Sequence, residues 1–435
     1  MARIAAIRQI IARTGINMAL HLTPLTREDC LALDQRDPLA GFRQEFDLPE
    51  GTIYLDGNSL GALPHRVVAR MSRAITEEWG KGLIRSWNDA DWYLAPQRAG
   101  AAIARLIGAG ADEVIACDST SVNLYKVLIA GLRLRPGRRV VISELGNFPT
   151  DVYVSARVAE MQGVELRCVA PEAVEAAIAE AGPDFALVHL TQVNYKTGLV
   201  YDMAAITKAA HAAGGLAIWD LAHSAGTLQV DLTGVGADFA VGCGYKYLNG
   251  GPGAPAFVYA AKRHHDEINQ PIAGWHGHAK PFGFDHAYQP DPGIARMLVG
   301  TASQLGLIAL ESALSVFETV DMGQLRAKGM ALGDLFIALV DQELAGHGFG
   351  LASPRDATQR GSQVSLTHPE GYAIMQAVIA RGAVGDFRAP DILRFGFAGL
   401  YVTYADIWDA VAILRDVMDN QIWDTAEYKA VKAVT

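Results

Sequence analysis

Between Asp118 and Tyr259 the apolar positions keep changing period, from the three-and-four spacing of a helix to short unbroken runs that suit a strand. The pattern predicts helices over Ser121–Leu134, Asp151–Gln162, Pro171–Ala181 and Met203–Ala213. It predicts strands over Arg139–Ser143, Val164–Val169, Phe185–Leu190, Leu216–Asp220, Ala237–Cys243 and Ala254–Ala260. Leu216–Asp220 is almost continuously apolar, so both of its faces should be buried, as in a parallel sheet covered by helices on either side. After Thr301 an alanine- and leucine-rich helix, Ser303–Val320, leads to a second unit beginning near Arg326. That unit should hold strands at Gly361–Leu366 and Ile392–Phe397, a helix at Tyr372–Arg381 and a closing helix from Tyr404. The expected class is α/β, with a large sheet domain over residues 71–325 and a smaller α+β domain over 326–435. Residues 1–24 read as an extension, and 25–70 as a segment packing on the smaller domain.

With 435 residues, half of them apolar, the chain is long enough to bury two cores. A formal net charge of −10 with no basic block offers nothing to a nucleic-acid backbone. Cys30, Cys117, Cys168 and Cys243 are scattered and form no C-x-x-C pair, so neither a thiolate zinc site nor a disulfide framework is suggested and the expected setting is reducing and cytoplasmic. No apolar run approaches the roughly 20 residues a membrane span needs, so no membrane is expected. Met1–Leu20 carries Arg3, Arg8 and Arg13 without an acid, as some transit peptides do, but Arg and Gln interrupt its apolar residues. The expectation is a plain extension, with Met18 as an alternative start. His276-Gly277-His278 lacks a neighbouring Cys or acid to complete a metal shell, and no metal is expected.

The polar residues worth attention fall where strands are predicted to end, which is where parallel sheets collect ligands. Asp118-Ser119-Thr120-Ser121 opens a helix, so its hydroxyls and N–H groups meet the positive end of the helix dipole. That makes either a phosphate seat or a plain cap by Thr120 or Ser121. Phe148-Pro149-Thr150-Asp151 offers a flat ring beside polar groups, or else a proline-led turn capped by Thr150. Asp220 closes an apolar strand, where an ionised carboxylate is costly without a cationic partner. His223 follows three residues later, and Lys246 emerges after the next run, ahead of Leu248-Asn249-Gly250-Gly251-Pro252-Gly253. Each has an ordinary reading, such as a snorkelling lysine or a structural histidine. Their order along successive strand ends is the layout of a Schiff-base enzyme using pyridoxal phosphate (PLP), with Lys246 on the aldehyde and Asp220 on the ring nitrogen.

The strings Tyr54-Leu-Asp-Gly-Asn-Ser-Leu-Gly61, Phe148-Pro-Thr-Asp151, Leu190-Thr-Gln-Val-Asn-Tyr-Lys-Thr-Gly198, Trp219-Asp-Leu-Ala-His-Ser-Ala-Gly226, Gly244-Tyr-Lys-Tyr-Leu-Asn-Gly-Gly-Pro-Gly253, Gly385-Asp-Phe-Arg388 and Arg394-Phe-Gly396 resemble kynureninase, from about residue 25 to the C-terminus. The resemblance implies a fold type I, class V aminotransferase-like PLP enzyme with a mostly parallel seven-stranded sheet. Its activity would be hydrolysis of L-kynurenine, or of 3-hydroxy-L-kynurenine, to anthranilate and L-alanine in tryptophan catabolism, a route also tied to NAD biosynthesis. Position by position it makes Lys246, Tyr245 and Asp220 catalytic, and places Thr120, Ser121 and Tyr245 on the phosphate. Phe148 stacks on the ring, and Asp151, Thr191 and His223 line the cofactor. Arg394 holds the substrate carboxylate, with Asn58 and Ser59 beside the substrate. Trp275 and Thr301 reach the neighbouring subunit's phosphate region, which implies a homodimer with shared sites.

Two stretches depart from the family's usual pattern. Gly300-Thr301 is followed by Ala302-Ser303-Gln304 rather than by prolines, and Gly399 replaces a proline before Leu400-Tyr401, which should loosen the backbone there. Two rival readings follow from the residues. A class V aminotransferase would use the same lysine and aspartate. Gly57-Asn58-Ser59-Leu60-Gly61 matches the nucleophile elbow of a serine hydrolase, although Pro64 would interrupt the helix that the elbow requires. A cysteine desulfurase is disfavoured because no cysteine follows Cys243.

Overall fold

The computed structural model describes residues 24–431, so the arginine-bearing segment Met1–Leu20 and Met18 lie outside the described residues. Contacts divide the chain into two compact units, one of Arg66–Asn194 with Tyr201–Glu318, the other of the residues up to His65 with Tyr195–Val200 and Thr319 onward.

The larger unit is built on seven strands: β1 (Val114–Ala116), β2 (Val140–Glu144), β3 (Glu165–Val169), β4 (Phe185–Thr191), β5 (Leu216–Asp220), β6 (Phe239–Gly242) and β7 (Phe257–Ala260). Their order across the sheet is β1-β7-β6-β5-β4-β2-β3. Strands β2 to β6 run parallel, and β7 is antiparallel to both β6 and β1. Every residue of β4, β5, β6 and β7 is buried, including the polar His189 and Thr191 of β4 and Asp220 of β5 in otherwise apolar sequences. Helix Thr120–Arg133 turns Leu124, Val127 and Leu128 onto Leu187, Leu216 and Ile218 of the sheet. Each such side chain contributes about 1.5–3 kcal/mol of burial energy.

Most predicted elements differ from the observed ones by a residue or two at the ends. Two differ more. The run Ser303–Val320 is a helix only over Gln304–Leu314 and tightens into a 3-10 turn over Ser315–Thr319, where the Ser315 hydroxyl donates to the Ser312 carbonyl (2.7 Å). Pro171–Ala181 likewise begins with a 3-10 turn, Pro171–Ala173, ahead of the helix Val174–Ala181.

In the smaller unit a four-stranded antiparallel sheet (Gly350–Leu351, Gln363–Thr367, Ile392–Gly396, Asp386–Arg388) packs with helices Met322–Glu343, Gly371–Ile379 and Tyr404–Asp419. Arg326 lies inside the first of these helices, whose start is set by Asp321 accepting from the N–H groups of Gly323 and Gln324. The core is aromatic, with Phe336 against Phe395 (ring centroids 4.9 Å apart) and Phe397 (5.5 Å). Helix Arg27–Asp34 docks through Asp34, which accepts from Tyr404 N and Ala405 N. Ile53–Tyr54 pairs in parallel with Ala383–Val384 and so brings Asp56 to a bridge with Gly396.

Candidate active site

In the larger unit the parallel strands all deliver their carboxyl ends to one edge of the sheet, and Glu144, Thr191 and Asp220 are the last residues of β2, β4 and β5. Lys246 stands four residues beyond β6 in a tightly folded loop. Its carbonyl accepts from Asn249 N (2.9 Å), and Gly250 N donates to Gly244 O (2.9 Å). A Cβ on Gly244 would lie 2.4 Å from Pro255 O, and one on Gly250 would lie 2.7 Å from Gly244 O, so neither position accepts a side chain.

The Lys246 amine lies 3.0 Å from His223 Nε2 and 5.9 Å from the ring centroids of Phe148 and Tyr245. Asp220 is buried and accepts from Ala222 N (2.8 Å). Burial raises its pKa, while Lys246 and the Ala222 N–H pull it back. Asp151, on the first turn of helix Pro149–Gln162, is pushed well above the carboxylate range by burial and by the neighbouring Asp220. Of the two carboxyls Asp151 is pushed further up, because the charge of Asp220 adds to its burial. Burial also raises the phenol of Tyr245.

Ser119, not Thr120 or Ser121, caps helix Thr120–Arg133, accepting from Val122 N (3.4 Å). Thr120 and Ser121 therefore occupy the first turn with hydroxyls not committed to capping, at the end of the helix that attracts anions. The loop entering this turn is held by Lys126, fully buried, which donates to Asp118 Oδ2 (2.7 Å) and Met297 O (2.7 Å), while Asp118 adopts a left-handed backbone (φ 50°). Phe148 occupies the N-cap position ahead of Pro149, no Thr150 cap bond forms, and its ring is 42% exposed. The Thr191 hydroxyl donates to Val193 O (3.0 Å), so it ties the end of β4 to its own loop. Trp275 stacks on His276 (4.9 Å, 10°) and stays exposed, as does Thr301. None of the contacts made by Lys246 involves Trp275 or Thr301.

In the smaller unit the predicted substrate residues meet. Arg394, 2% exposed, donates from Nε to Asp386 Oδ1 (2.8 Å), from Nη2 to Asp386 Oδ2 and to Ser59 Oγ (2.7 Å), and from Nη1 to Tyr195 O (2.7 Å). The fork expected to grip a substrate carboxylate thus holds Asp386, which leaves one N–H of the five uncommitted. Arg388 Nη2 donates to Asp386 Oδ2 (2.7 Å) and Ser59 Oγ (3.2 Å), and Ser59 donates to Asp386 (2.6 Å). Asp56 is pushed up to about 8 by burial and by Asp386. Asn58 is fully buried against Gly396, and its amide has no hydrogen-bond partner among the described residues.

The nucleophile-elbow reading of Ser59 fails. Its hydroxyl is bound by an aspartate and two arginines rather than by an imidazole, and Leu63–Pro64 pairs with Phe46–Asp47 before a helix starts at His65. The loosening expected at Gly399 is also absent: a Cβ there would lie 2.9 Å from Leu325 Cδ1, so the backbone is closely packed. Ser303 takes the N-cap position of helix Gln304–Leu314 but makes no capping bond.

Several residues escaped the sequence reading. Glu144, buried at the end of β2 and pushed up to about 7 by burial, accepts from Asn194 Nδ2 (3.1 Å). His189 and Ser155 lie behind Asp151. Asp386 and Arg388 appeared only as letters of a motif. A signal existed for His189, a polar residue inside the otherwise apolar run Phe185–Leu190, and for Ser155, one helical turn from Asp151.

The assembled groups fit PLP: a poised amine, a buried carboxyl able to face a ring N–H, an exposed aromatic face beside the amine and an uncommitted helix start for phosphate. Among solved structures, the chain resembles a cysteine desulfurase from Thermococcus onnurineus NA1 (TM-score 0.75, 18% identity, covering 87% of this chain and 98% of the other). It also resembles the cysteine desulfurase CsdA from Escherichia coli (TM-score 0.73, 19% identity, 88% and 98%). These agree with the expected α/β fold. The kynureninase C-terminal domain family matches residues 325–414. Kynureninase from Pseudomonas fluorescens is 52% identical over 417 residues, 94% of this chain and the whole of the relative. Kynureninase from Burkholderia mallei (strain SAVP1) is 50% identical over 421 residues, again 94% of this chain and all of the relative. With half its residues shared along the whole length of these relatives, the chain belongs to the kynureninase family.

Proposed function

We propose that the protein hydrolyses L-kynurenine, and 3-hydroxy-L-kynurenine as a second substrate, to anthranilate and L-alanine with PLP held on Lys246. The observation that carries the reading is full-length kinship to kynureninases, and a Lys246 amine placed beside His223 and Phe148 agrees with it. Bound PLP would supply an electron sink at the substrate's α-carbon. Lys246 would hold the cofactor, and its freed amine would be the base for the α-proton. Asp220 would keep the ring nitrogen protonated, and Phe148 would cover the ring. Thr120, Ser121 and Tyr245 would bind the phosphate, while Asp151, Thr191 and His223 would line the cofactor. Arg394 takes the α-carboxylate, with Ser59 and Asn58 beside it. Water adds to the aryl ketone carbon, the bond between β- and γ-carbons breaks, and Tyr245 returns a proton to the β-carbon.

The working assembly is a homodimer in which Trp275 and Thr301 serve the partner's phosphate. Phe282 (65% exposed) and Phe284 (80%) beside Trp275 support this, because apolar rings so exposed mark an interaction face. The domain division proposed is 25–70 with 326–435 and 71–325, and the setting is the cytoplasm, in tryptophan catabolism and its branch to NAD. Among the described residues no helix is long and apolar enough to cross a membrane.

The test is the visible absorption of PLP-loaded protein with and without Lys246→Ala, followed by L-kynurenine. Lysine-dependent absorption and growing anthranilate fluorescence with equimolar alanine are expected. A keto acid in place of alanine would establish the aminotransferase instead.

A further inference from the structure

One face of the smaller unit's sheet carries more positive charge than its carboxylates balance. Asp386 and Arg388 are two apart on one strand, so their side chains leave the same face, and Arg394 stands directly opposite Asp386 on the neighbouring strand. The two guanidiniums share two oxygens: Nη2 of each donates to Asp386 Oδ2 and to Ser59 Oγ. Burial would raise Asp386, yet the hydrogen bond and charge of Arg394 and the charge of Arg388 hold it below the usual carboxylate value. The other carboxyl nearby, Asp56, is pushed up to about 8 by burial and by Asp386, so it is mostly neutral at pH 7. Two cations thus face one anion, which leaves room for one further negative charge.

The donors left over are mostly those of Arg388. Its Nη1 donates once, to Phe387 O (3.0 Å), and both N–H groups of Nη2 are taken, so Nε–H and one Nη1–H have no acceptor among the described residues. Arg394 keeps a single N–H of this kind and is 2% exposed, whereas the Arg388 side chain is 32% exposed. A carboxylate arriving from solution meets Arg388 first, and Arg394, with its fork turned to Asp386, cannot grip it with two parallel bonds.

We propose that Arg388 is a second binding residue for the substrate's α-carboxylate, taking it from the solvent side alongside Arg394 and restricting the site to ligands that carry this charge. The proposal rests on kynurenine being the substrate. Asp386 and Ser59 hold the two guanidiniums together, and the incoming carboxylate completes the charge balance.

The test compares PLP-loaded wild type with Arg388→Gln and Arg388→Lys, using L-kynurenine and its analogue without the carboxylate. In R388Q the KM for kynurenine should rise about 10- to 100-fold, the scale of a lost charge-assisted bond, with kcat within about threefold of wild type. R388K keeps the charge without the fork and should recover part of that loss. The dissociation constant of the carboxylate-free analogue, read from the change in cofactor absorption, should move by less than about twofold in R388Q. Weakening as large as that for kynurenine would mean a loosened site and overturn the assignment. R388Q is also made in an Arg394→Lys background, where a direct contact still raises KM; no further rise would reduce Arg388 to a prop for Arg394 and overturn it. So would an R388Q protein with the wild-type KM. Wild type that cleaves no kynurenine refutes the substrate reading, and the proposal with it.

Discussion

Asp386 is the hinge of the smaller unit's polar cluster, and replacing it with alanine is the sharpest test of how that cluster works. The side chain is 2% exposed and accepts from Nε and Nη2 of Arg394, from Nη2 of Arg388 and from the Ser59 hydroxyl. Its removal leaves the Arg394 guanidinium, itself 2% exposed, without a counter-charge. Breaking one member of a buried pair costs about 3–5 kcal/mol. Arg388 adds little, because its side chain is 32% exposed and water screens its charge. Asp386→Asn keeps the shape and one acceptor, and should cost about 1–3 kcal/mol. Function gives a second scale. If Arg394 holds the substrate's carboxylate, loss of its anchor forfeits a charge-assisted bond of about 1.5–3 kcal/mol, which is roughly 10- to 150-fold in KM. Urea unfolding followed by tryptophan fluorescence measures the first quantity, and initial rates of anthranilate release measure the second. An Asp386→Ala protein that unfolds at the wild-type urea concentration, with KM within about twofold of wild type, would refute both the ion-pair account and the place of Arg394 in binding.

Three other outcomes follow from the same geometry. Asp238, 1% exposed, accepts from His211, His264, Arg263 and Ala217 N, and its pKa lies below the usual 3.8 despite burial because of those hydrogen bonds. A depressed carboxyl contributes stability that is present above its unfolded value and lost as pH falls through the folded one, so thermal stability should drop steeply below about pH 4; Asp238→Asn should flatten that slope and start from a lower stability at pH 7. Ser59→Ala removes one bond to Asp386 and the bonds accepted from Arg394 and Arg388, so KM should rise modestly, on the order of tenfold, while turnover persists; complete loss of kynurenine cleavage in a folded protein would contradict the reading. Lys126→Met leaves Met297 O with only the weak Cys117 thiol as donor and unties Asp118, and should cost about 2–3 kcal/mol of stability and weaken PLP binding measured by equilibrium dialysis, with unchanged PLP affinity as the refuting result.

The parts of the fold read most easily from sequence were those set by local chemistry. Unbroken apolar runs made β4 and β5 plain, and a polar residue closing such a run stood out, which is how Asp220 and Lys246 were found. The cluster around Arg394 was less legible because its members lie far apart in the chain: Ser59 and Asp386 are separated by 327 residues, and no periodic signal links them. The helix start at Thr120 was read in outline, but the choice of Ser119 as cap depends on a left-handed Asp118 that Lys126 stabilises from eight residues away. No shift of composition marks Tyr195–Val200, yet these six residues leave the larger unit and exchange backbone hydrogen bonds with Gln359 and Gly361. Proximity of Asp151 to Asp220 likewise brings the first turn of a helix to the end of a strand far along the chain, which no local pattern reveals.

The crowded turn around Gly244 and Gly250 has a practical consequence for anyone wishing to redirect this protein toward other aryl ketones. Because Pro255 O and Gly244 O leave no space for a methyl group, the amine's platform cannot be reshaped by substitution and will reject diversity in a library. Useful variation must come from positions not locked in this way, such as Ala302 and Ser303, where the start of helix Gln304–Leu314 makes no capping bond.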